Sequence, residues 1–221
     1  MKICNICGNN SFGSGPGGRM SLEGLPPRCE KCQSLERHRV YRKVFEQLVD
    51  EELKSLSFLQ FSNDRTVDPK WFSSHEVSVF GGNNSLDLQN IERSDNSYDI
   101  VMCNHVLEHV ANDEYALREL FRVVKDSGFV FLTVPAPLNK SKTTDWGYPK
   151  KEQHGHYRIY GADFQEKLIN TLPTAWILSK TEIDEATGTE DVVFLICGTE
   201  HRAKKLSSKL ANTKEVHMGG A

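Results

Sequence analysis

The stretch from Tyr98 to Val134, YDIVMCNHVLEHVANDEYALRELFRVVKDSGFVFLTV, decides the fold class. Its two ends, at 98–103 and 129–134, are apolar runs with the length and composition of buried strands. Between them an apolar stripe at helical spacing predicts a helix, which Asn112 is placed to cap. Two buried strands joined by a helix are typical of a parallel sheet with helices on its faces.

Further segments extend this pattern in both directions along the chain. We expect strands at 57–62 and 76–80 before the quoted stretch, and a helix near 162–171 after it. Two later strands, at 175–180 and 192–197, are joined by a polar stretch without helical period, which predicts an antiparallel hairpin. The sequence therefore predicts an α/β fold whose parallel strands end in an antiparallel hairpin.

Charge is distributed unevenly along the 221 residues. The formal net charge is −3, but residues 1–50 carry +3, residues 201–221 carry +4 and the part between them carries −10. An acidic main body argues against nucleic acid as the principal ligand, because phosphate binding needs clustered cations. No apolar run approaches the roughly 18 residues of a membrane span, and the N-terminal residues lack the apolar core of a secretory signal. We therefore expect a cytoplasmic protein.

Four of the six cysteines form two Cys-x-x-Cys pairs with 21 residues between them. We expect these cysteines to bind one structural Zn²⁺, because four thiolates complete its tetrahedral shell. They are Cys4, Cys7, Cys29 and Cys32. A redox dithiol, or two disulfides in an exported chain, are the alternatives. The segment between the pairs is too rich in Gly, Pro and Ser to form a core, so residues 1–33 are predicted to be a zinc ribbon that the metal orders.

Two segments flank the main body. A helical pattern makes residues 34–54 a linking helix, whose cations favour either a solvated face or contact with a nucleic acid or acidic substrate. These cations are Arg37, Arg39, Arg42 and Lys43. Residues 201–221 have too few large hydrophobic side chains to pack, so we expect a disordered basic tail.

The main body resembles a class I S-adenosylmethionine (SAM)-dependent methyltransferase of the type-11 group. The resemblance starts with LDL at 86–88, continues through NHVLEHV at 104–110 and the helix after it, and implies a methyltransferase-like domain over residues 55–200. The segment HGHYRIYG at 154–161 resembles a signature of one subgroup, whose members also often begin with a Cys-x-x-Cys ribbon followed by Ser-Leu-Glu-Arg-His-Arg. That hexapeptide is present here at 34–39.

The resemblance implies a Rossmann-like sheet with SAM bound across the carboxyl ends of its parallel strands. Asp87 matches the acidic residue that accepts a hydrogen bond from the adenine amino group. The turn after the first strand has no glycine, and Asp64 stands in for the acidic residue of the Pro-Glu pair that the subgroup uses there. The second strand ends without a carboxylate for the ribose hydroxyls, and Asn83 or Asn84 is the weaker substitute. The implied cofactor residues are Phe61, Ser62, Asp64, Asp87, Leu88, Asn104 and His105.

The polar segment 143–161 follows the strand at 129–134, the fifth strand of the fold that the resemblance implies, after which this fold builds its acceptor pocket, and it has no helical or strand period. We expect His154 or His156 to act as general base toward an oxygen acceptor. Arg158 is expected to bind an anionic group and Tyr160 to contact the acceptor. The alternative is that His156, Arg158 and Tyr160 only order the loop against the sheet.

His105 and His109 are four residues apart, with Glu108 between them. This spacing resembles a metal-binding pair on one helical face, but the order differs from the His-Glu-x-x-His of zinc proteases. We therefore favour packing of His109 at the turn after the strand.

The sequence thus predicts a SAM-dependent methyltransferase with a structural Zn²⁺, acting on a small-molecule or glycan-like acceptor. Two alternatives remain. A non-catalytic adaptor with a degenerate methyltransferase fold would bind zinc but no SAM. A nucleic-acid-modifying methyltransferase would dock through the ribbon, the cationic helix and the tail, with strongly salt-dependent binding.

Overall fold

The structure is a computed structural model that describes residues 2–48, 51–217 and 219. Its first strands are short: β1 (Phe12–Gly13) pairs antiparallel with β2 (Arg28–Cys29) in the predicted ribbon. Helix α1 (Glu36–Leu48) follows within the predicted linking helix, and a 3-10 helix (Glu51–Ser55) leads into the main sheet. Residues 49 and 50 of the predicted linking helix lie outside the described residues.

A seven-stranded sheet forms the centre of the molecule, with the order β11-β9-β10-β6-β5-β3-β4. Strands β7 and β8 form a separate hairpin, and all other strands from β3 onward belong to the central sheet. In chain order the elements are β3 (Ser57–Phe61), β4 (Ser74–Ser78), β5 (Tyr98–Asn104), α2 (Asp113–Val123), β6 (Val124–Thr133), β7 (Thr144–Lys150), β8 (His156–Ile159), α3 (Phe164–Thr171), β9 (Trp176–Ile183), β10 (Glu190–Cys197), α4 (Glu200–Lys209) and β11 (Lys214–His217). The pairs β3–β4, β3–β5 and β5–β6 are parallel, and β10 pairs antiparallel with both β6 and β9. The predicted α/β fold with an antiparallel hairpin at the end of a parallel sheet is confirmed.

Both faces of the sheet are covered, and strand β5 shows why its sequence is continuously apolar. Val101 and Cys103 point into a core shared with α2 and α3, whereas Ile100 and Met102 point into a second core shared with α1 and α4. Successive side chains of a strand face opposite sides, so a strand between two helical layers needs apolar residues at every position. Helix α2 begins as predicted, because the side chain of Asn112 accepts a hydrogen bond from its first turn.

The prediction of a disordered tail at 201–221 is wrong for the part that the structure describes. Helix α4 is capped by the Thr199 side chain and buries Ala203 and Leu206 against the sheet. Strand β11 then pairs antiparallel with β9. Few apolar side chains suffice here because the sheet already supplies the rest of the core, which a count of residues in the tail alone does not show. Residues 218, 220 and 221 lie outside the described residues.

The expectation that segment 143–161 lacks strand structure is also wrong. It forms the antiparallel hairpin β7–β8, in which Thr144 pairs with Ile159 and Asp145 with Arg158. The turn has left-handed backbone at His154 (φ 58°) and Gly155 (φ 80°). Mostly exposed side chains hide the period of two that identifies strands packed on a core. Within the residues that the structure describes, no helix is long and apolar enough to cross a membrane.

Candidate functional site

Four cysteine sulfurs converge in the ribbon. The Sγ atoms of Cys4 and Cys32 lie 3.6 Å apart, as do those of Cys7 and Cys29, and all four lie within 4.8 Å of one another. Zn–S bonds of about 2.3 Å in a tetrahedral site place sulfurs about 3.8 Å apart. A disulfide needs about 2.05 Å, so the cysteines are free thiols arranged as a metal site would require.

Hydrogen bonds surround these sulfurs. The Asn9 amide donates to Cys29 Sγ over 3.6 Å, and the Cys32 thiol donates to Ser34 Oγ over 3.1 Å. Burial alone would raise the pKa of Cys29, but the backbone N–H groups of Cys32 and Lys31 donate to its sulfur and lower the pKa to about 6. The thiolate is the form that binds metal, so the local structure favours the ligand form of Cys29, whereas burial raises the pKa of Cys4 and raises that of Cys7 to about 12.

Arg39 joins the ribbon to the edge of the sheet. Its guanidinium is 2% exposed, pairs with both carboxylate oxygens of Asp184 at 2.8 and 2.7 Å, and donates to the carbonyls of Ser34 and Pro27. Asp184 lies in the turn between β9 and β10. Neither interpretation offered for the α1 cations holds for Arg39, because its side chain is a buried connection between three parts of the chain.

Two other cations of α1 are also engaged within the chain. Arg42 pairs with Glu46 at 2.6 Å, and its guanidinium lies 4.1 Å from the centroid of the Trp71 ring. Lys43 pairs with Glu185 at 3.0 Å. Cations neutralised in this way do not offer the free charge that docking of a nucleic acid needs.

The turn after β3 lies where the central parallel strands end. Strand β4 lies on one side of β3 and β5 on the other, so this edge is the switch point at which ligands bind in such sheets. Ser62 has φ 74°, a left-handed conformation that costs a non-glycine residue about 1–2 kcal/mol. The turn thus adopts a backbone conformation that glycine normally provides, although the turn contains no glycine.

Asp64 and Asn104 hold this turn together. Asp64 Oδ1 accepts from the Thr66 backbone N–H at 2.8 Å, and Oδ2 accepts from the Asn104 amide at 2.9 Å. Asn104, the last residue of β5, in turn accepts from the Thr133 hydroxyl at 3.2 Å. The structure therefore brings two predicted cofactor residues together, as braces of the turn. Phe61, at the end of β3, is buried.

The adenine side of the predicted site is open. Asp87 is exposed, and Leu88 beside it is buried in the core shared with α2. Strand β4 ends at Ser78, earlier than predicted, and leaves the Phe80 ring 98% exposed at the same edge. The Asn84 amide donates to Glu76 and to the Val77 carbonyl, so it is taken up within the chain.

An exposed carboxylate, an exposed aromatic ring and a left-handed turn thus border one edge of the sheet. This set of groups fits an adenosine-containing ligand such as SAM. A cleft of about 420 Å³ runs along the turn, and Ile6 of the ribbon forms part of its wall. A larger concavity of about 540 Å³ lies where β5 begins, beside Asp99, Asp126 and Lys209. The lining of the smaller cleft includes Asp64 of this turn, but neither Asp87 nor Phe80.

His105, predicted to face the methyl group, belongs to a hydrogen-bonded triad that the sequence did not indicate. Its backbone is left-handed (φ 52°), and its Nε2 lies 2.7 Å from the Tyr41 hydroxyl, which donates to Asp191 Oδ2 at 2.8 Å. Because the only proton of Tyr41 goes to Asp191, His105 Nε2 carries a hydrogen and Nδ1 is left as the acceptor. Burial lowers the pKa of His105 well below its usual value, so the ring is neutral.

Glu108, His109 and His156 form a second cluster of potential metal ligands, with their ligand atoms within 4.8 Å of one another. The rings of His109 and His156 meet edge to face with centroids 4.6 Å apart, and the ring of His154 lies 6.2 Å from that of His156. Burial raises the pKa of Glu108 to about 8 and lowers that of His156 to about 4. The His105–His109 pair does not form, because residues 107–109 make a single 3-10 turn and Tyr41 holds His105.

Arg158 and Tyr160, predicted to contact the acceptor, are buried. Arg158 pairs with Asp145 at 2.7 Å and donates to two carbonyls of the turn after β5, at 2.8 and 2.7 Å. The Tyr160 hydroxyl donates to Asp113 at 2.8 Å. Since these contacts occupy their polar groups, the geometry favours the alternative in which both residues order the hairpin.

Comparisons with known proteins agree with the fold. Residues 13–169 match a family described as methyltransferase domain. The chain is similar in structure to 1,6-didemethyltoxoflavin-N1-methyltransferase from Burkholderia thailandensis, determined with S-adenosylhomocysteine bound, at a TM-score of 0.50 and 12% identity over 71% of this chain and 77% of that one. A search of curated proteins finds no significant match.

Two further solved structures are SAM-dependent methyltransferases. The one from Thermotoga maritima has a TM-score of 0.47 and 14% identity, covering 72% of this chain and 87% of that one. The one from Mesorhizobium loti has a TM-score of 0.46 and 9% identity, covering 70% and 94%. With the family match spanning more than half of its length, the chain belongs to the class I SAM-dependent methyltransferases.

Proposed function

We propose that this methyltransferase transfers the methyl group of SAM to an oxygen atom of a small-molecule or sugar-like acceptor. The observation that carries the proposal is the group of three imidazoles beside the carboxyl end of β5, from His109, His154 and His156. An oxygen acceptor must lose a proton as it is methylated, and imidazole is the side chain best suited to take it near neutral pH.

The chain contributes alignment and proton transfer. Bound SAM supplies an electrophilic methyl group on a positively charged sulfur. Asp87 would accept a hydrogen bond from the adenine amino group, and the turn at Ser62 and Asp64 would hold the methionine part. His154 or His156 would take the proton of the acceptor hydroxyl as that oxygen accepts the methyl group, with the electron pair of the broken C–S bond left on sulfur. Most of the rate enhancement then comes from holding acceptor oxygen, methyl carbon and sulfur in line.

The two candidate bases differ in position. His154 is exposed at the hairpin turn, whereas His156 is partly buried and packs its ring against His109. His154 is therefore the more accessible proton acceptor. His156, whose pKa burial lowers to about 4, stays neutral but is a weak base near neutral pH.

We also infer that Cys4, Cys7, Cys29 and Cys32 bind one structural Zn²⁺. The distances between their sulfurs and the donors around Cys29 support this assignment. Four thiolates leave no open coordination position, so this ion orders the ribbon and takes no part in methyl transfer.

Calorimetric titration with SAM and S-adenosylhomocysteine tests the cofactor site. Asp87→Ala should weaken SAM binding by about 10- to 150-fold, because a hydrogen bond to a charged group contributes about 1.5–3 kcal/mol. Asp126→Ala removes a matched exposed carboxylate at the opposite end of the sheet and should leave binding unchanged. Equal binding by Asp87→Ala would place the adenine contact elsewhere. A parent chain that binds neither compound would support the adaptor.

Release of S-adenosylhomocysteine in the presence of hydroxylated small molecules and sugars tests the acceptor. On an acceptor found in this way, His154→Ala or His156→Ala should lower turnover by about 10²–10⁴-fold while SAM affinity stays nearly constant. Full turnover by both variants would show that alignment alone carries the reaction.

A further inference from the structure

The turn after β5 and strand β8 bring three metal-ligating side chains together away from the ribbon. Glu108, His109 and His156 place one carboxylate oxygen and two imidazole nitrogens within 4.8 Å of one another. Glu108 is 1% exposed, and its Oε2 has no hydrogen-bond partner within the described part of the chain. Leaving a buried polar atom without a hydrogen-bond partner costs free energy. We therefore expect Oε2 of Glu108 to bind a ligand from outside the described part of the chain.

We propose that Glu108, His109 and His156 bind a divalent first-row metal ion, with Zn²⁺ the best match, in a second site distinct from the four cysteines. Two imidazoles and one carboxylate are a ligand set of zinc sites that keep an open coordination position. Metal–ligand bonds of about 2.0–2.2 Å require ligand atoms about 3.3–3.6 Å apart. The ligand atoms lie within 4.8 Å of one another, so no pair would have to close by more than about 1.5 Å.

The surroundings hold the ligands in place. The ring of His109 hydrogen-bonds to the backbone of Gly155, and metal-binding histidines commonly use their second nitrogen in this way. Arg158 donates to the carbonyls of Val110 and Ala111, which fixes the turn that carries Glu108 and His109 against the strand that carries His156. Arg158 is thus a positioning residue for the cluster.

His105 lies on the other side of Glu108. Its Nδ1 is 3.7 Å from Glu108 Oε1, which is beyond hydrogen-bond distance. His109 is exposed and His156 partly so, which leaves the ion a path from solvent.

The site also narrows the class of acceptor, an extension that rests on the proposed function. Three protein ligands leave positions for oxygen atoms of a second molecule, and a metal ion lowers the pKa of a hydroxyl that it binds. The favoured acceptor then carries two neighbouring oxygens, as a diol or sugar does. With His156 engaged as a ligand, His154 is the remaining base.

Zinc stoichiometry of the full chain tests the second site. After equilibration with Zn²⁺ and gel filtration, elemental analysis should find two zinc ions per parent chain and one in either His156→Ala or Cys29→Ser. The double variant should hold none. Glu108→Gln keeps the shape of the side chain and should also hold one, with affinity for the lost ion at least about 100-fold weaker. His154→Ala is the matched control, a neighbouring histidine outside the ligand set, and should hold two.

Two results would overturn the proposal. One is a single zinc in the parent chain that disappears in Cys29→Ser, and the other is two zinc ions that persist in both Glu108→Gln and His156→Ala. Calorimetric titration with SAM separates this outcome from the proposed function. A chain that binds two zinc ions but no SAM would support the second metal site and contradict the methyltransferase activity. A chain that binds SAM but only one zinc ion would support the activity and contradict the second metal site.

Discussion

The ribbon cluster and the Glu108 cluster differ in how completely they are closed. In the ribbon four sulfurs face one point, three of the cysteines are buried, and backbone N–H groups donate to the sulfur of Cys29. In the second cluster only Glu108 is buried, His156 is partly exposed and His109 is exposed. A structural metal site has four buried ligands, whereas a site that binds a second molecule has fewer ligands and is open to solvent. The number of ligands and their exposure therefore distinguish the two clusters better than the residue types do.

The two regions are nevertheless mechanically joined through α1. Arg39 ties the ribbon to Asp184, and Tyr41, two residues further along α1, reaches His105 beside the second cluster. The hexapeptide that ends at Arg39 is therefore the joint between the regions. Substitutions in one region, with metal binding and stability measured in both, test how far the two regions depend on each other.

The largest effect should come from Cys29→Ser. Loss of a structural zinc removes about 10–16 kcal/mol of metal-binding free energy from a segment that has little core of its own. Residues 1–33 should lose amide protection in hydrogen-exchange mass spectrometry while the sheet keeps its own. Cys103→Ala, which removes a buried thiol of β5, should retain the ribbon zinc. Continued protection of residues 1–33 in Cys29→Ser would show that the ribbon folds without metal.

The next largest effect should follow from Arg158→Leu. It leaves two carbonyls and the Asp145 carboxylate without their donor, which should lower the free energy of unfolding by about 3 kcal/mol in urea titrations. The ribbon zinc should stay bound, because Arg158 touches only the second region. Arg118→Leu, at an exposed ion pair with Glu114, should change stability by less than about 1 kcal/mol. Equal losses in the two variants would contradict the positioning role.

His38, near the joint, gives a pH-dependent effect of intermediate size. Burial lowers its pKa to about 4, and its Nδ1 accepts from the Leu35 N–H, so the folded chain holds it neutral. The unfolded chain takes up that proton near pH 6.5, so this stability is present above pH 6.5 and is lost as the pH falls toward 4. The loss is about 2 kcal/mol at pH 5. The difference in unfolding free energy between the parent and His38→Gln should change with pH by that amount. A difference that stays constant with pH would contradict a pH-dependent contribution of His38 to stability.

Ser62→Gly should have the smallest effect. Glycine relieves the left-handed strain at φ 74° but adds freedom to the unfolded chain, so the net gain in stability should be at most about 1 kcal/mol. SAM affinity should stay within a few-fold in calorimetry. Ser94→Gly, an exposed serine outside the left-handed positions, should be neutral or slightly destabilising. A loss of stability in Ser62→Gly would mean that the hydroxyl matters more than the backbone.

Local patterns account for the parts of the fold that could be predicted. The strands 98–103 and 129–134, the cap at Asn112 and the cysteine pairs each depend on a few neighbouring residues. The Tyr41–His105–Asp191 triad joins residues 64 and 150 positions apart in sequence, and nothing in their local sequence marks them as partners.

The acceptor side shows the same limit. Its histidines were found as a concentration of polar residues, but the burial of Arg158 and the meeting of Glu108 with His156 depend on where the hairpin docks. The prediction of a disordered tail was wrong for a related reason, because helix α4 packs on a core that other segments of the chain form.

The C-terminal segment also bears on solubility. Strand β9 exposes a row of backbone donors and acceptors on the side away from β10, and β11 covers part of it. During synthesis β9 leaves the ribosome before β11, so the free side of β9 is bare until β11 emerges. A bare apolar edge strand is a template for pairing between chains. A chain truncated before Thr199 would keep that edge permanently bare and should form aggregates through strand β9 rather than remain a smaller monomer.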